Sequence, residues 1–216
     1  MRLGLIGDVH AEDERLLVTL AAFAVEKVDR ILCTGDVVDG AGDIDRACAL
    51  LASSRVATVR GNHDRWIRED TMRDLPMAHR MPQLSPTSIE FVKGLPPTVS
   101  LEMAGGLLLL CHGTGKNDMQ GVGPGDGGYA ISSNEALLEV LFDARVVVMV
   151  AGHTHKPMVR RFERGSGKSP LYVVNPGTLA RGDEPGFAIL DLATRRVDFH
   201  RIDADLRVHP ASRAVL

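Results

Sequence analysis

The spacing of apolar and polar positions changes several times along the chain. Residues 3–7 form a short apolar run, too brief for a helix, and read as a strand. Residues 12–28 carry Leu16, Leu17, Leu20, Phe23, Ala24 and Val28 at helical spacing, with a polar opposite face. A second strand over 30–34 follows, then a helix over 43–53 with Ile44, Ala47, Leu50 and Leu51 on one side, and a third strand over 55–59. This β-α-β-α-β alternation predicts a mostly parallel sheet with covering helices.

The pattern then weakens. Residues 66–82 are charged and Met-rich, and predict a short helix or an ordered loop. Ser85 and Pro86 suit the cap and first turn of a helix through Lys93, with Gly94 at its stop. Strands over 98–103 and 107–111 flank Ala104-Gly105-Gly106, a hairpin signal. Residues 113–128 hold seven glycines and one proline and read as a long surface loop. Ser132 with Glu135 suggests a capping box that opens a helix through about Asp143. The continuous β-branched run over 146–151 predicts a central buried strand. Strands over 158–162, 171–175, 187–192 and 197–202 complete the pattern, and residues 203–216 are expected to be a loose tail. Parallel units first and antiparallel strands later suggest an α/β chain of two packed sheets with helices outside, one domain over 1–216.

Composition narrows the function. The chain has 216 residues, 25% of them charged, and a net charge of −3, so it offers no global basic field for a nucleic-acid backbone. One Trp, two Tyr and six Phe are too few for a base-stacking platform, which argues against long nucleic acid as a partner. No apolar run approaches the length of a membrane helix, and no signal-peptide pattern opens the sequence. Three cysteines without paired spacing suggest a reducing compartment, so the expected location is the cytoplasm.

Five short motifs fall just after predicted strands, where open α/β sheets place their ligands. They are Gly7-Asp8-Val9-His10, Gly35-Asp36-Val37-Val38-Asp39, Gly61-Asn62-His63-Asp64, Cys111-His112-Gly113 and Gly152-His153-Thr154-His155. Each joins a turn-forming glycine to carboxylate, amide or imidazole groups. This mixed nitrogen and oxygen set suits Mn, Fe, Zn, Co or Ni better than Ca or Mg. Asp8, His10, Asp36, Asn62, His112, His153 and His155 are too many for one ion, which takes about four protein ligands. With Asp36 shared they fill two. A two-metal site that activates a water is the usual arrangement for hydrolysing phosphate esters.

The ordered set of motifs resembles the calcineurin-like metallophosphoesterases, and among them the small bacterial and archaeal phosphodiesterases without a cap domain. The likeness runs from residue 3 to about 177, and Asn175-Pro176-Gly177 is a further shared feature. It implies a four-layer αββα sandwich, two mixed β-sheets flanked by helices, with two divalent transition-metal ions, manganese first among them, at one end of the sheets. Carried over by motif, Asp8, His10, Asp36 and His155 hold the first ion, and Asp36, Asn62, His112 and His153 the second. His63 protonates or stabilises the leaving oxygen, Asp64 orients His63, and Asp39 fixes a ligand by hydrogen bond. The implied reaction is attack on phosphorus by a hydroxide that bridges the metals. Val9 and Ala11 depart from the usual neighbours of the first motif, at positions that do not coordinate through side chains.

Other residues carry weaker signals. Trp66 and Arg181 are candidate substrate contacts, and the glycine-rich loop either covers the site or has no catalytic role. Cys111 is expected to be a buried strand residue that points away from His112, and His79, His200 and His209 to be ordinary. The leading function is a phosphodiesterase on a small, nucleotide-like or other diester. A phosphomonoesterase or protein phosphatase shares the chemistry, and a non-catalytic interaction scaffold shares the fold. Monomer and homodimer are both compatible with the sequence.

Overall fold

The computed structural model describes residues 1–165 and 167–216. In chain order the strands are β1 (Arg2–Ile6), β2 (Arg30–Cys33), β3 (Ala57–Thr58), β4 (Thr98–Met103), β5 (Gly106–Cys111), β6 (Val146–Val150), β7 (Met158–Phe162), β8 (Leu171–Asn175), β9 (Gly186–Asp191), β10 (Arg196–Ile202) and β11 (Val208–Val215). The helices are α1 (Asp13–Val25), α2 (Ile44–Ser53), α3 (Asn62–Glu69), α4 (Pro86–Gly94), α5 (Tyr129–Ser132) and α6 (Glu135–Phe142).

Side chains alternate between the two faces of a strand, and the central strands here are apolar on both. β1 sends Leu3 and Leu5 to one side and Ile6 to the other. β9 splits Ala188 and Leu190 from Phe187 and Ile189 in the same way. Strands of this kind need cover on both faces, and the chain supplies it as four layers. One sheet runs β11-β10-β9-β1-β2-β3, with β1, β2 and β3 parallel. The other runs β4-β5-β6-β8-β7, with β5, β6 and β8 parallel and β4 and β7 antiparallel to their neighbours.

Three apolar clusters fill the three gaps. Leu16, Phe23, Ala47, Leu51 and Val92 join α1, α2 and α4 to the first sheet. Leu3, Leu5, Leu32, Leu108, Leu110, Val148 and Val150 lie between the sheets. Leu137 and Val140 of α6 close the second sheet over Met149 and Val173. The αββα sandwich follows from these contacts.

Two expectations are corrected, and the 66–82 stretch resolves into the end of a short helix and an ordered loop. Residues 203–216 are not a loose tail. The Asp203 carboxylate accepts from the main-chain N–H of Asp205 and Arg207 and pairs with His209, which turns the chain back so that β11 pairs with β10. Helix α3 begins at Asn62, inside the third motif, because the Asp64 carboxylate accepts from the Gly61 N–H. The stretch after it is mostly turn, with a single 3₁₀ turn at Met81–Gln83. Asn134, not Ser132, caps α6: its side chain accepts from the Leu137 N–H, and the Ser132 hydroxyl turns back to the Tyr129 carbonyl. Elsewhere the predicted elements match within a few residues, and Ser85 caps α4 as expected.

Phe23 is fully buried, edge-on to Phe187 with ring centroids 5.0 Å apart. Phe23→Ala is expected to cost about 3–5 kcal/mol, read as a lower denaturant midpoint with an unchanged m value.

Candidate metal centre

All five motifs lie just beyond the carboxyl ends of parallel strands, Asp8 after β1, Asp36 after β2, Asn62 after β3, His112 after β5 and His153 with His155 after β6. The inner gap between the sheets therefore opens onto one polar end. The turns there are sharp. His10, Asp36, Asp39, His153 and His155 have φ of 47°, 44°, 65°, 65° and 58°, a left-handed conformation that Asp and His adopt more readily than other non-glycine residues. Two glycines permit the close approaches. A Cβ on Gly61 would fall 2.1 Å from Asp36 Oδ1, and one on Gly152 2.1 Å from Asp8 Oδ1.

Two groups of ligand atoms able to hold a metal ion converge there, Asp8 with His10 and His155, and Asp8 with Asp36 and His112. Asp8 and Asp36 are buried, at 0% and 2% exposure. His155 Nε2 lies 3.0 Å from Asp8 Oδ2 and 3.2 Å from His10 Nε2. Asp8 is common to both groups, and Asp36 Oδ2 of the second lies 3.3 Å from His112 Nε2 and 4.0 Å from His10 Nε2 of the first. Asn62 Oδ1 is 2.8 Å from His112 Nε2 and 3.0 Å from His153 Nδ1. All seven ligands expected from the sequence are thus brought together.

The surroundings aim them. His10 and His112 each direct Nδ1 at a main-chain carbonyl, Asp39 and Thr34 respectively, both at 2.9 Å. A carbonyl only accepts, so Nδ1 carries the proton and Nε2 faces the centre. Asp8 accepts from the Thr34 hydroxyl and the His153 N–H, and Asp36 accepts from the His63 N–H. Asn175 donates to the Gly152 carbonyl and ties down the last motif.

Carboxylates, an amide oxygen and imidazole nitrogens pointed at one another need positive charge among them. Protons provide it in this arrangement. Burial opposes the His112 imidazolium, but Asp36 and Asp8 outweigh burial and push its pKa up to about 10. Burial likewise opposes the His155 imidazolium, and its hydrogen bond to Asp8 prevails, up to about 9. Asp36 and Asp8 are held below the usual carboxylate range: burial acts the other way, and the charge of His112 overcomes it. The donor set fits divalent transition metals, which would supply the same charge without the protons.

His63 sits beside this cluster, its ring 5.1 Å from that of His10. The carboxylate that orients it is Asp39, not Asp64: His63 Nδ1 donates to Asp39 Oδ2 at 2.7 Å. Asp64 is fully buried and accepts instead from the N–H groups of Val37, Val38 and Gly61, so it fastens the second motif to the third. The main-chain carbonyl of Asp39 also accepts from His10 Nδ1. Burial opposes the His63 imidazolium, and Asp39 and Asp36 lift its pKa above the ordinary value.

Trp66 packs on His63, with ring centroids 4.7 Å apart. Arg181 does not reach the site as a free cation, because its Nε and terminal nitrogen both bind the buried Glu12 carboxylate. Gly121 of the glycine-rich loop lies against His153 and Thr154, and Arg65 holds the loop through Asp118 at 2.7 and 3.0 Å. Cys111 is buried in the helix-facing cluster, as expected. Sequence reading missed Arg73, whose guanidinium makes two 2.9 Å bonds to Asp39, and His79, which accepts from the Asp39 N–H. It also missed Asp183, 2.6 Å from His155 Nδ1. None of the three stands in a motif.

The sequence model of the calcineurin-like phosphoesterase superfamily domain matches residues 1–195, and the chain belongs to that superfamily. Among proteins with curated descriptions, none matches this chain significantly. Solved structures share its fold. A metallophosphoesterase from Sphaerobacter thermophilus is 23% identical, with 95% of this chain and 91% of that one covered and a TM-score of 0.69. A structure described as a novel archaeal phosphodiesterase is 15% identical over 100% of both chains, with a TM-score of 0.55. Wild-type Vps29 complexed with zinc from Entamoeba histolytica is 19% identical over 100% of this chain and 99% of that one, with a TM-score of 0.55.

Two outcomes follow from this geometry. Gly152→Ala forces a methyl group onto Asp8 and is expected to weaken metal uptake by at least about tenfold, measured by metal analysis of the purified variant. Ions held by His112 and His155 would take their deprotonated nitrogens, whereas the raised pKa values keep both rings protonated near neutrality. Binding is therefore expected to release protons and to strengthen as pH rises from about 6 to 8. Calorimetry in buffers of different ionisation enthalpy checks this, and a binding heat independent of buffer contradicts it.

Proposed function

We propose that this chain, as a member of the calcineurin-like phosphoesterase superfamily, is a dinuclear metal-dependent phosphodiesterase that acts on a small, nucleotide-like or other diester. The observation that carries the reading is the Asp36 carboxylate placed between His10 and His112, where one buried oxygen faces two ligand groups. On this reading Asp8, His10, Asp36 and His155 hold one ion, and Asp36, Asn62, His112 and His153 hold the other. Manganese is the first choice, with iron, zinc, nickel and cobalt as alternatives. Such ions supply Lewis acidity and an activated water.

The chain's own residues do the rest. His63 has Nδ1 committed to Asp39, which leaves Nε2 to carry the proton offered to the leaving oxygen. Asp39 and Asp36 raise its pKa above the ordinary histidine value, which favours that proton. Asp39 holds the ring in one orientation, and Arg73 holds Asp39. The imidazoles of His63 and His155 are 21% and 25% exposed, so the centre opens to solvent, which suits a phosphate with two substituents. Trp66 offers a flat apolar face to one of them. The printed description of the archaeal relative as a phosphodiesterase points the same way. With all seven ligand positions and His63 filled, catalysis is favoured over a scaffold role. Among the described residues no helix is long and apolar enough to cross a membrane. The three cysteines are free, which fits the reducing cytoplasm.

With Mn added, turnover of an aryl phosphodiester is expected to exceed that of the corresponding monoester. The reverse preference indicates a monoesterase, and no turnover with any divalent metal favours a scaffold. His63→Ala is expected to lower turnover about 10²–10⁴-fold while metal analysis still finds both ions. Loss of metal in that variant contradicts the separation of His63 from the ligands.

A further inference from the structure

Three histidines of the centre direct Nδ1 outward, and what holds that nitrogen differs among them. For His10 and His112 it is a main-chain carbonyl, buried and without net charge. For His155 it is the carboxylate of Asp183, at 2.6 Å. Asp183 lies on the turn between β8 and β9, far along the chain from every motif. Among the described residues, His155 is the one side-chain partner of its carboxylate.

The turn is built to put Asp183 there. The Asp183 N–H donates to the Ala180 carbonyl. Two residues earlier, Arg181 is fixed to the buried Glu12 through its main-chain N–H, Nε and a terminal nitrogen. Glu12 directly precedes α1 and follows the first motif, so the turn is held by the segment that supplies Asp8 and His10. Pro185 closes the turn by bridging to Thr178, whose hydroxyl donates to the Asp8 carbonyl.

A carboxylate on the outward nitrogen orients an imidazole and makes its inward nitrogen a stronger donor. It also adds negative charge on the side of the centre that His155 supplies. We propose that Asp183 is a positioning residue that sets the metal affinity of the Asp8, His10 and His155 group, independently of the group around Asn62, His112 and His153. The inference rests on the two-metal reading and adds to it an asymmetry: one ion is held by a charged outer partner on a surface turn, the other by the rigid main chain. The Asp183 side chain is 42% exposed, so replacing it opens no cavity in the core.

The test is a calorimetric titration of Mn into the metal-stripped chain, for wild type, Asp183→Ala and Asp183→Asn. Wild type is expected to take up two ions. In Asp183→Ala one binding event weakens about 10–100-fold and the other stays as in wild type. Asp183→Asn recovers part of the loss, because its amide oxygen still accepts from Nδ1. A purely structural role for Asp183 predicts no such selectivity and no such recovery. The proposal is overturned if the alanine variant binds both ions like wild type, or if both events weaken together. A wild-type chain that takes up fewer than two ions overturns the two-metal reading itself, and the proposal with it.

Discussion

Two carboxylates, Asp8 and Asp36, are buried side by side, and most of this architecture answers that constraint. An ionised carboxylate taken from water is costly unless it is paired and hydrogen-bonded. Here the donors come from five places in the chain. The Thr34 hydroxyl, the N–H groups of His153 and His63, and the imidazoles of His112 and His155 surround the pair. The left-handed turns at His10, Asp36 and His153 and the bare backbones of Gly61 and Gly152 are what allow those donors to come close. Such strain persists where the surroundings over-determine it, and the packed sheets provide that.

The four layers supply a rigid base. Because β1, β2 and β3 run parallel in one sheet and β5 and β6 in the other, five strands end at the same edge of the inner apolar gap. The first sheet delivers Asp8, His10, Asp36 and Asn62, and the second delivers His112, His153 and His155. Neither sheet alone completes either ligand group, so the metal centre and the packing of Leu5 and Leu32 against Leu110 and Val150 are one structure. Local glue completes it. Asp64 locks the second motif to the third, and Asp39, held by Arg73, serves His63 with its carboxylate and His10 with its carbonyl.

The sequence made the layers and the ligands legible for identifiable reasons. Strands buried on both faces are continuous apolar runs, and turn glycines beside Asp, Asn and His mark the strand ends. The edge strand β11 gave no such signal, since it is mostly exposed, contains Pro210 and is placed by a turn built on Asp203. The start of α3 was hidden because its first turn is made of the motif itself. The exchange between Asp39 and Asp64 shows the limit of spacing. Asp64 adjoins His63 in the chain, yet its carboxylate points away to three amides, and Asp39 reaches the ring from 24 residues earlier. Arg73, His79 and Asp183 act across 28 to 40 residues, through contacts that no local pattern encodes.

A charge-rich interior of this kind is stable when cations occupy it, and the imidazolium protons on His112 and His155 fill that role when none do. The most direct test is an anomalous-scattering map from crystals grown with Mn. The account predicts two peaks about 3.5–4 Å apart, on either side of Asp36 and in reach of His155 and His112. A single peak, or peaks away from the Asp8 and Asp36 carboxylates, contradicts it.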